Sequence, residues 1–330
     1  MADRPRVFVS RALPGSEPLE RLSAVADVDV WEPHDPPPAG ELAARAAPCD
    51  GMLSMLTESV DGPLLDRCPG LRVVSNLAVG YDNIDIPAAT ERGVLVTNTP
   101  GVLTEATADL AFALLLSAAR RLSEGERAVR DGTWGPWHPT WLLGRDISGA
   151  TLGIVGPGRI GRAVAERGSG FGMRVIYHGR SEVANFPGEL MTLDALLATS
   201  DFVSVHVPLN AETEGMFDAA VFARMQPHAV FVNTARGGVV DQPALAAALH
   251  EGRIGAAALD VTTPEPLPTD DPLLDAPNLM VVPHVGSATE RTRERMASLA
   301  VDGLLAGLAG ERPEHLVNPD ALDHPGERRR

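Results

Sequence analysis

Three residues with side chains suited to acid and anion chemistry, Arg236, Glu265 and His284, each lie shortly after an apolar, β-like run. Arginine can hold a carboxylate through two parallel hydrogen bonds, and a histidine beside a carboxylate can protonate an oxygen that gains negative charge. Reduction of a 2-oxo acid needs both groups and a dry pocket that aligns the hydride donor. Spacing alone does not join the three residues. Each also has a structural interpretation, as a surface charge, a loop residue and a hydrogen-bonded core histidine.

A G-x-G-x-x-G pattern from Gly156 to Gly161 directly follows an apolar strand and opens a helix. At such a turn, unpaired amides and the positive helix end attract a pyrophosphate. Gly156 permits the turn, Gly158 lets the backbone approach a ligand, and Gly161 lets the helix pack close to the strand. The pattern is weak by itself, but its placement favours a dinucleotide site over a tight turn without a ligand.

The segment after the next predicted strand bears on the choice of cofactor. It reads Tyr177-His178-Gly179-Arg180-Ser181. An Asp or Glu here would bind the adenosine ribose hydroxyls of NAD, whereas an arginine can pair with the 2′-phosphate of NADP. The sequence therefore predicts a preference for NADP(H), with NAD(H) as the second choice. The alternative is that Arg180 is only a solvated surface charge.

Two series of short β-like runs alternate with helix-like segments, which predicts two doubly wound α/β domains with parallel sheets. The first series begins at Val7, and the second begins at Thr151. The predicted strands are residues 7–9, 28–30, 51–55 and 71–74 in the first series, and 151–155, 173–177, 201–207, 229–232, 256–259 and 280–282 in the second.

Two long helices are predicted outside these series. The first starts at Thr104 and is apolar nearly all round, so it must be buried between layers or subunits. The second runs from Ala288 to about Leu308. Between the two series, residues 131–149 contain three tryptophans among glycines and prolines, which indicates an irregular excursion.

The bulk composition narrows the class of protein. A chain of 330 residues is long enough for two domains, and a net charge of −16 disfavours nucleic acid and anionic membrane as partners. Cys49 and Cys68 form no metal-binding or disulfide pattern, so we interpret them as small buried residues and expect no metal. With no signal-peptide core and no apolar run that could span a membrane, a cytoplasmic location is expected.

Several segments resemble the D-isomer-specific 2-hydroxyacid dehydrogenases, namely residues 156–161, 233–241, 259–267 and 283–289, and the order Arg, Glu, His matches that family. Residues 77–83, 103–110, 264–269 and 284–293 are similar to its glyoxylate/hydroxypyruvate reductases. The resemblance covers nearly the whole chain. It implies reduction of small 2-oxo acids, such as glyoxylate and hydroxypyruvate, by hydride transfer from NAD(P)H.

The same resemblance implies roles for individual residues. Arg236 and the amides of Val79 and Gly80 would bind the substrate carboxylate, while His284 would donate the proton and Glu265 would pair with it. Near the nicotinamide it places Thr107, Asp260 and Gly286. The complete set of predicted cofactor contacts is Thr107, Gly156, Gly158, Arg159, Ile160, Gly161, Gly179, Arg180, Ser181, His206, Val207, Pro208, Thr213, Thr234, Ala235, Arg236, Asp260, His284 and Gly286.

The family's architecture implies a division of the chain. Residues 1–102 and 289–330 would form a flavodoxin-like substrate-binding lid domain, and residues 103–288 a Rossmann dinucleotide-binding domain inserted in it. Within the inserted domain, residues 103–149 would make the contact of a homodimer. Trp141 is expected either to bind substrate in the partner's active site or to fill the dimer interface.

Other functions on this scaffold remain open from the sequence. One is oxidation or reduction of another D-2-hydroxy acid, or of phosphite. Another is a dinucleotide-sensing transcriptional corepressor without turnover, since fold alone does not fix function. The sequence departs from the family pattern at Pro157 in the glycine loop. Proline has no backbone N–H, so this residue is expected to weaken phosphate binding.

Overall fold

A computed structural model describes residues 4–323, which form two α/β units. The first unit contains the residues up to Leu103 and those from Ala288 onward, and the second contains Thr104–Ser287. Both sheets are parallel throughout, which confirms the predicted fold class. The two ends of the predicted lid domain, residues 1–3 and 324–330, lie outside the described part of the chain.

The first unit has a five-stranded sheet in the order β2-β1-β3-β4-β5, the flavodoxin-like arrangement. Its central strands are buried on both faces, as expected for a parallel sheet covered by helices. The strands are β1 (Arg6–Val9), β2 (Asp27–Val30), β3 (Gly51–Ser54), β4 (Val73–Asn76) and β5 (Leu95–Thr97), and the first four helices are α1 (Glu17–Val25), α2 (Ala39–Ala46), α3 (Gly62–Arg67) and α4 (Ile86–Glu91).

Sequence patterns missed one strand of this sheet and displaced another. β5 was not predicted, because three residues are too few to show a period. β4 begins two residues after the predicted start at Leu71, since Leu71 still belongs to the turn that follows α3.

The second unit begins with two helices, α5 (Thr104–Ala119) and α6 (Leu122–Arg130). α5 packs against a later helix and three strands of the sheet, and seven of its residues are buried, which confirms the predicted burial. Residues 131–149 contain no helix or strand, in agreement with the predicted excursion.

The seven-stranded sheet of this unit has the order β12-β11-β10-β9-β6-β7-β8. Its strands are β6 (Thr151–Val155), β7 (Arg174–His178), β8 (Glu189–Leu190), β9 (Phe202–Val205), β10 (Val230–Asn233), β11 (Ala256–Leu259) and β12 (Leu279–Val281), and its remaining helices are α7 (Arg159–Gly170), α8 (Leu193–Thr199), α9 (Ala219–Phe222) and α10 (Gln242–His250).

The chain then returns to the first unit through α11 (Glu290–Ala309), close to the predicted limits. The Thr289 hydroxyl caps its start by accepting from the amide of Thr292, and Gly310, at φ +76°, ends it in the left-handed region. α11 packs on β3, β4 and α1.

Cys49 and Cys68 are buried free thiols in the core of the first unit, as the sequence predicted. Burial raises the pKa of Cys49 to about 11, so this thiol stays protonated and unreactive. Of the helices within residues 4–323, none has the length and apolarity to cross a membrane.

Candidate active site

Strand order brings Arg236, Glu265 and His284 to one edge of the second unit's sheet. They follow β10, β11 and β12, which are neighbours in the sheet and run parallel. The carboxyl ends of parallel strands meet at the same edge, where ligands bind in open α/β sheets. The sequence located each residue after a strand, and the strand order makes the three segments neighbours.

His284 and Glu265 form a hydrogen-bonded pair, with 2.7 Å between Nδ1 of the imidazole and Oε2 of the carboxylate. The second carboxylate oxygen, Oε1, accepts from the amide of Thr262 at 3.0 Å. Burial acts to raise the pKa of Glu265, but the hydrogen bond and charge of His284, the Thr262 amide and the charge of Arg236 together lower it. An ionised Glu265 accepts a hydrogen bond from Nδ1–H, which leaves Nε2 of His284 as the nitrogen that can exchange a proton with a ligand.

The backbone at His284 is held in an unusual conformation by the buried Asp260. His284 has φ +52°, a left-handed value that is uncommon for a residue other than glycine and is frequent at active sites. The Asp260 carboxylate accepts from the next two amides, Val285 at 2.6 Å and Gly286 at 2.9 Å. Burial raises the pKa of Asp260, and these amide bonds oppose the rise. Asp260 therefore fixes the turn that presents the imidazole.

Arg236 is half-buried in a loop organised by Asn233. The Asn233 side chain donates to the Arg236 carbonyl at 2.9 Å and accepts from the Ala235 amide at 2.9 Å. Nη1 of Arg236 donates to the Ala235 carbonyl at 2.8 Å. Because Asn233 is completely buried, these bonds form a rigid base for the guanidinium.

Close packing joins the arginine loop to the segment that carries Glu265. A Cβ on Gly237 would lie 2.0 Å from the Thr262 carbonyl oxygen, so only glycine fits at this position. Gln242 adds a second tie, because its side chain donates to the Thr263 carbonyl at 2.8 Å and accepts from the Thr263 amide at 2.5 Å. Sequence reasoning missed Gln242, since nothing in its local pattern indicates a partner 21 positions away.

The glycine loop has the geometry of a phosphate-binding turn. Gly156 has φ +98°, and a Cβ there would lie 2.7 Å from the backbone of His206, while one on Gly161 would lie 2.2 Å from the Gly156 carbonyl oxygen. Gly158 faces open space and precedes α7, whose first turn, including Arg159 and Ile160, has no side-chain cap. The amides of that turn are thus available to an anion.

A buried hydroxyl at the same edge of the sheet gives an independent test of whether a dinucleotide fits. Oγ1 of Thr234 is buried and has no hydrogen-bond partner within residues 4–323. A buried polar group without a partner is costly, and a ligand hydroxyl or amide would satisfy it. Together with the uncapped helix start, Thr234 shows that this unit fits a ligand carrying both phosphate and hydroxyl groups. Ala235, the next residue, is half-buried.

The three residues predicted to lie near the nicotinamide contact one another. Thr107 of α5 donates from Oγ1 to the Gly286 carbonyl at 3.2 Å. A Cβ on Gly286 would lie 3.0 Å from Oδ2 of Asp260 and 3.4 Å from Thr107. The buried Thr107, Asp260 and Gly286 therefore form one small polar cluster beside the His284 turn.

The segment predicted to select the cofactor follows β7. Arg180 and Ser181 are exposed, and the next residue, Glu182, is an exposed carboxylate. Gly179 packs directly on the glycine loop, since a Cβ there would lie 2.7 Å from Cγ of Pro157. The proline ring thus occupies the space that a side chain at position 179 would need.

The loop after β9 carries the remaining predicted cofactor residues. Burial lowers the pKa of His206 to about 3, so its imidazole is neutral, and Nε2 lies 2.8 Å from the Ser204 hydroxyl. The Thr213 hydroxyl donates to the Pro208 carbonyl at 2.6 Å and so closes this loop. Val207, between them, is half-buried.

Three predicted substrate-binding residues lie in other parts of the chain. Val79 and Gly80 are half-buried in the loop that follows β4 of the first unit. Trp141 lies in the irregular excursion of the second unit and is 43% exposed. The substrate roles of these three residues remain predictions.

Comparison with protein families gives a match over residues 112–286 to the NAD-binding domain of the D-isomer-specific 2-hydroxyacid dehydrogenases. A glyoxylate reductase of Korarchaeum cryptofilum is 48% identical over 324 residues, covering 97% of each chain. These similarities extend beyond the glycine loop to both units.

Solved structures agree with the sequence comparison. A Thermus thermophilus protein superposes with a TM-score of 0.90 at 47% identity, covering 94% of this chain and 99% of its own. An NADPH-dependent glyoxylate/hydroxypyruvate reductase of Sinorhizobium meliloti, solved with NADP and malonate, gives a TM-score of 0.85 at 35% identity and covers 99% of this chain and 100% of its own.

Proposed function

Because the chain belongs to the D-isomer-specific 2-hydroxyacid dehydrogenase family and is thus an NAD(P)-dependent oxidoreductase, we propose that it reduces glyoxylate and hydroxypyruvate, with NADPH as the preferred hydride donor. The observation that carries the proposal is the His284–Glu265 pair, at 2.7 Å, at the same sheet edge as Arg236. An acid and a cation at the edge where a dinucleotide binds are the groups that reduction of a 2-oxo acid requires.

Arg236, His284 and Glu265 each have a separate role in the proposed reaction. The Arg236 guanidinium pairs with the substrate carboxylate and fixes the orientation of the neighbouring carbonyl. When bound, the reduced nicotinamide supplies a hydride to the carbonyl carbon. As the carbonyl oxygen gains negative charge, Nε2 of His284 gives it a proton, and the product is a hydroxyl group. Glu265 keeps its hydrogen bond to Nδ1 throughout, so the imidazole stays in one orientation.

The residues that would hold the cofactor are those of the glycine turn and its neighbours. The first-turn amides of α7 would bind the pyrophosphate, and the Thr234 hydroxyl would bond to a ribose or the nicotinamide. Arg180 and Ser181 would bind the 2′-phosphate of NADP, which is the basis for the proposed preference. The Sinorhizobium reductase, solved with NADP, supports this choice.

The decisive experiment is to measure oxidation of NADPH and of NADH with glyoxylate, hydroxypyruvate and pyruvate in parallel. The proposal expects the highest kcat/KM with NADPH and one of the first two acids. A clear preference for NADH would refute the cofactor assignment, and activity confined to a bulkier 2-oxo acid or to phosphite would refute the substrate assignment. Tight dinucleotide binding without any turnover would indicate a sensor such as a corepressor.

We also propose that the protein is a homodimer. α6 contains no buried residue, and the excursion after it exposes Trp134 and Trp137 to 65% and 85%. Such exposed aromatic side chains are typical of protein interfaces. In the proposed dimer Trp141 contributes to the partner's substrate pocket, so Trp141→Ala should change KM for glyoxylate as well as the association constant. A monomer by light scattering at micromolar concentration would contradict this assignment.

A further inference from the structure

Loop 77–83, which follows β4 in the first unit, has its carbonyl groups fixed by hydrogen bonds. Nδ2 of Asn98 donates to the Val79 carbonyl at 2.7 Å, and Nδ2 of Asn76 donates to the Gly80 carbonyl at 3.0 Å. The amide of Thr99 donates to the Ala78 carbonyl at 2.9 Å. Three consecutive carbonyls of this loop are therefore bound by groups of the same unit.

These carbonyl bonds also determine where the amides of the loop point. In a planar trans peptide, the C=O and the following N–H point in opposite directions. The bond from Thr99 to Ala78 therefore turns the Val79 amide away from Thr99, and the bond from Asn98 to Val79 turns the Gly80 amide away from Asn98. The direction of each amide is thus fixed by the hydrogen bond to the carbonyl of the same peptide group, from Thr99 for the Val79 amide and from Asn98 for the Gly80 amide.

Asn76 is itself held by a buried polar network. It is fully buried at the end of β4, where its Oδ1 accepts from the Ser54 hydroxyl at 3.1 Å and its Nδ2 also donates to Oδ1 of Asn83 at 3.1 Å. Asn83 in turn donates to the carbonyls of Met55 and Glu58, at 3.0 and 2.8 Å. The network therefore ties loop 77–83 to the turn after β3.

Glu58 anchors that turn with a buried carboxylate. The residue is 2% exposed, and a buried charge is tolerated only when it is paired and hydrogen-bonded. Both oxygens have donors. They are the Ser10 hydroxyl at 2.5 Å, the Met55 amide at 2.6 Å, the Thr57 hydroxyl at 2.6 Å and Nη1 of Arg11 at 3.3 Å.

We propose that Asn98 and Asn76 are positioning residues for substrate binding. Asn98 orients the Gly80 amide through its bond to the Val79 carbonyl, and Asn76 holds the following peptide through its bond to the Gly80 carbonyl, so that the Val79 and Gly80 amides face the substrate carboxylate. Glu58 and Asn83 keep Asn76 in place for this task. The inference rests on the proposed function and on the prediction that these two amides bind the substrate carboxylate together with Arg236. It adds side chains that contact the loop from inside the unit and need not contact the substrate.

Asn98→Ala and Asn76→Ala test the proposal, with Asn318→Ala as the matched control. Asn318 is also a buried asparagine of the first unit, and its hydrogen bonds go to Val94, Val96 and Thr90, which lie outside loop 77–83. Asn98→Ala should raise KM for glyoxylate about tenfold while kcat and KM for NADPH change little, because it disturbs ground-state carboxylate binding. Asn318→Ala should lower the melting temperature and leave KM for glyoxylate unchanged.

A second readout separates failure of this inference from failure of the proposed function. Hydrogen exchange of a peptide spanning residues 77–83, measured by mass spectrometry, should accelerate in Asn98→Ala and Asn76→Ala but not in Asn318→Ala. If the wild-type protein reduces no 2-oxo acid, the proposed function fails. The hydrogen-exchange rates of residues 77–83 then still test whether the two asparagines hold the loop in place. Wild-type KM and wild-type exchange in Asn98→Ala would overturn the inference.

Discussion

Nδ1 of His284 lies 2.7 Å from Oε2 of Glu265, although 19 positions separate the two residues in the chain. The pair exists because β11 and β12 are adjacent and each leaves the sheet at the same edge. His284 has a left-handed backbone conformation that the Asp260 carboxylate holds through the next two amides. Asp260 thus fixes the position of the imidazole, and Glu265 fixes the proton on Nδ1. This arrangement leads to the first prediction.

Replacing Glu265 with Gln should lower kcat by about a hundredfold, since the amide keeps the shape but loses the charge that orients and stabilises the protonated imidazole.

The pKa of Glu265 is lowered in the folded state, so the pair stabilises the fold at pH values above the ordinary carboxyl pKa of about 4.3. That contribution disappears as the pH falls through the lowered value. The difference in melting temperature between wild type and variant should therefore shrink in acid, whereas Glu311→Gln, at an exposed position, should show no such trend.

Arg236 and His284 should have separable effects on the kinetics. Arg236→Gln removes the carboxylate clamp and should raise KM for glyoxylate by about a hundredfold. His284→Gln removes the proton donor and should depress kcat with little change in KM. Steady-state kinetics of both variants provide the measurement. Small and equal effects at the two positions would contradict the assigned roles.

Gln242 should affect catalysis through the two hydrogen bonds between its side chain and the Thr263 backbone. Gln242→Leu removes both hydrogen bonds to the Thr263 backbone and releases the segment that carries Glu265. We expect kcat to fall about tenfold through misplacement of the His284 pair. Gln226→Leu is the control, because Gln226 also donates to a backbone carbonyl, that of Ala198, away from the site. Equal kcat in the two variants would show that Gln242 has only a structural role.

Pro157 should restrict which residues position 179 accepts. Gly179→Asp places a carboxylate where NAD-dependent enzymes bind the ribose, but its Cβ would meet the Pro157 ring at 2.7 Å. The single variant should therefore bind both cofactors poorly. In Pro157→Ala/Gly179→Asp, the ratio of kcat/KM for NADPH to that for NADH should fall about tenfold relative to wild type. An unchanged ratio in the double variant would argue against this segment as the selector of cofactor.

His206 should make stability depend on pH in mild acid. Burial lowers its pKa to about 3, whereas an unfolded chain has a histidine pKa of about 6.5. The unfolded state then binds the extra proton first, so the stabilisation is complete above pH of about 6.5 and is lost as the pH falls toward 3. His206→Asn removes this dependence. Thermal unfolding of both proteins between these limits should show a steeper loss of stability for wild type. Parallel curves would contradict a neutral His206 in the folded protein.

The sequence by itself determined the features that local patterns encode. Apolar runs of β-like residues, followed by polar segments, indicated two parallel α/β units and located Arg236, Glu265 and His284 after their strands. The glycine spacing at the start of α7 indicated the strand-to-helix turn, because glycine is required where φ is positive or where two backbones approach closely. These features depend on neighbours within a few residues, so they are readable without a fold.

Only the tertiary structure decided which segments meet. The partners of Gln242, Gly179 and Asn98 lie in other loops, and nothing in the periodicity of either partner specifies the pairing. Strand order determines which loops become neighbours, and side-chain hydrogen bonds and close packing then set their geometry. Orientation of the catalytic groups is therefore a property of the packed sheet edge, where long-range contacts determine what local sequence leaves open.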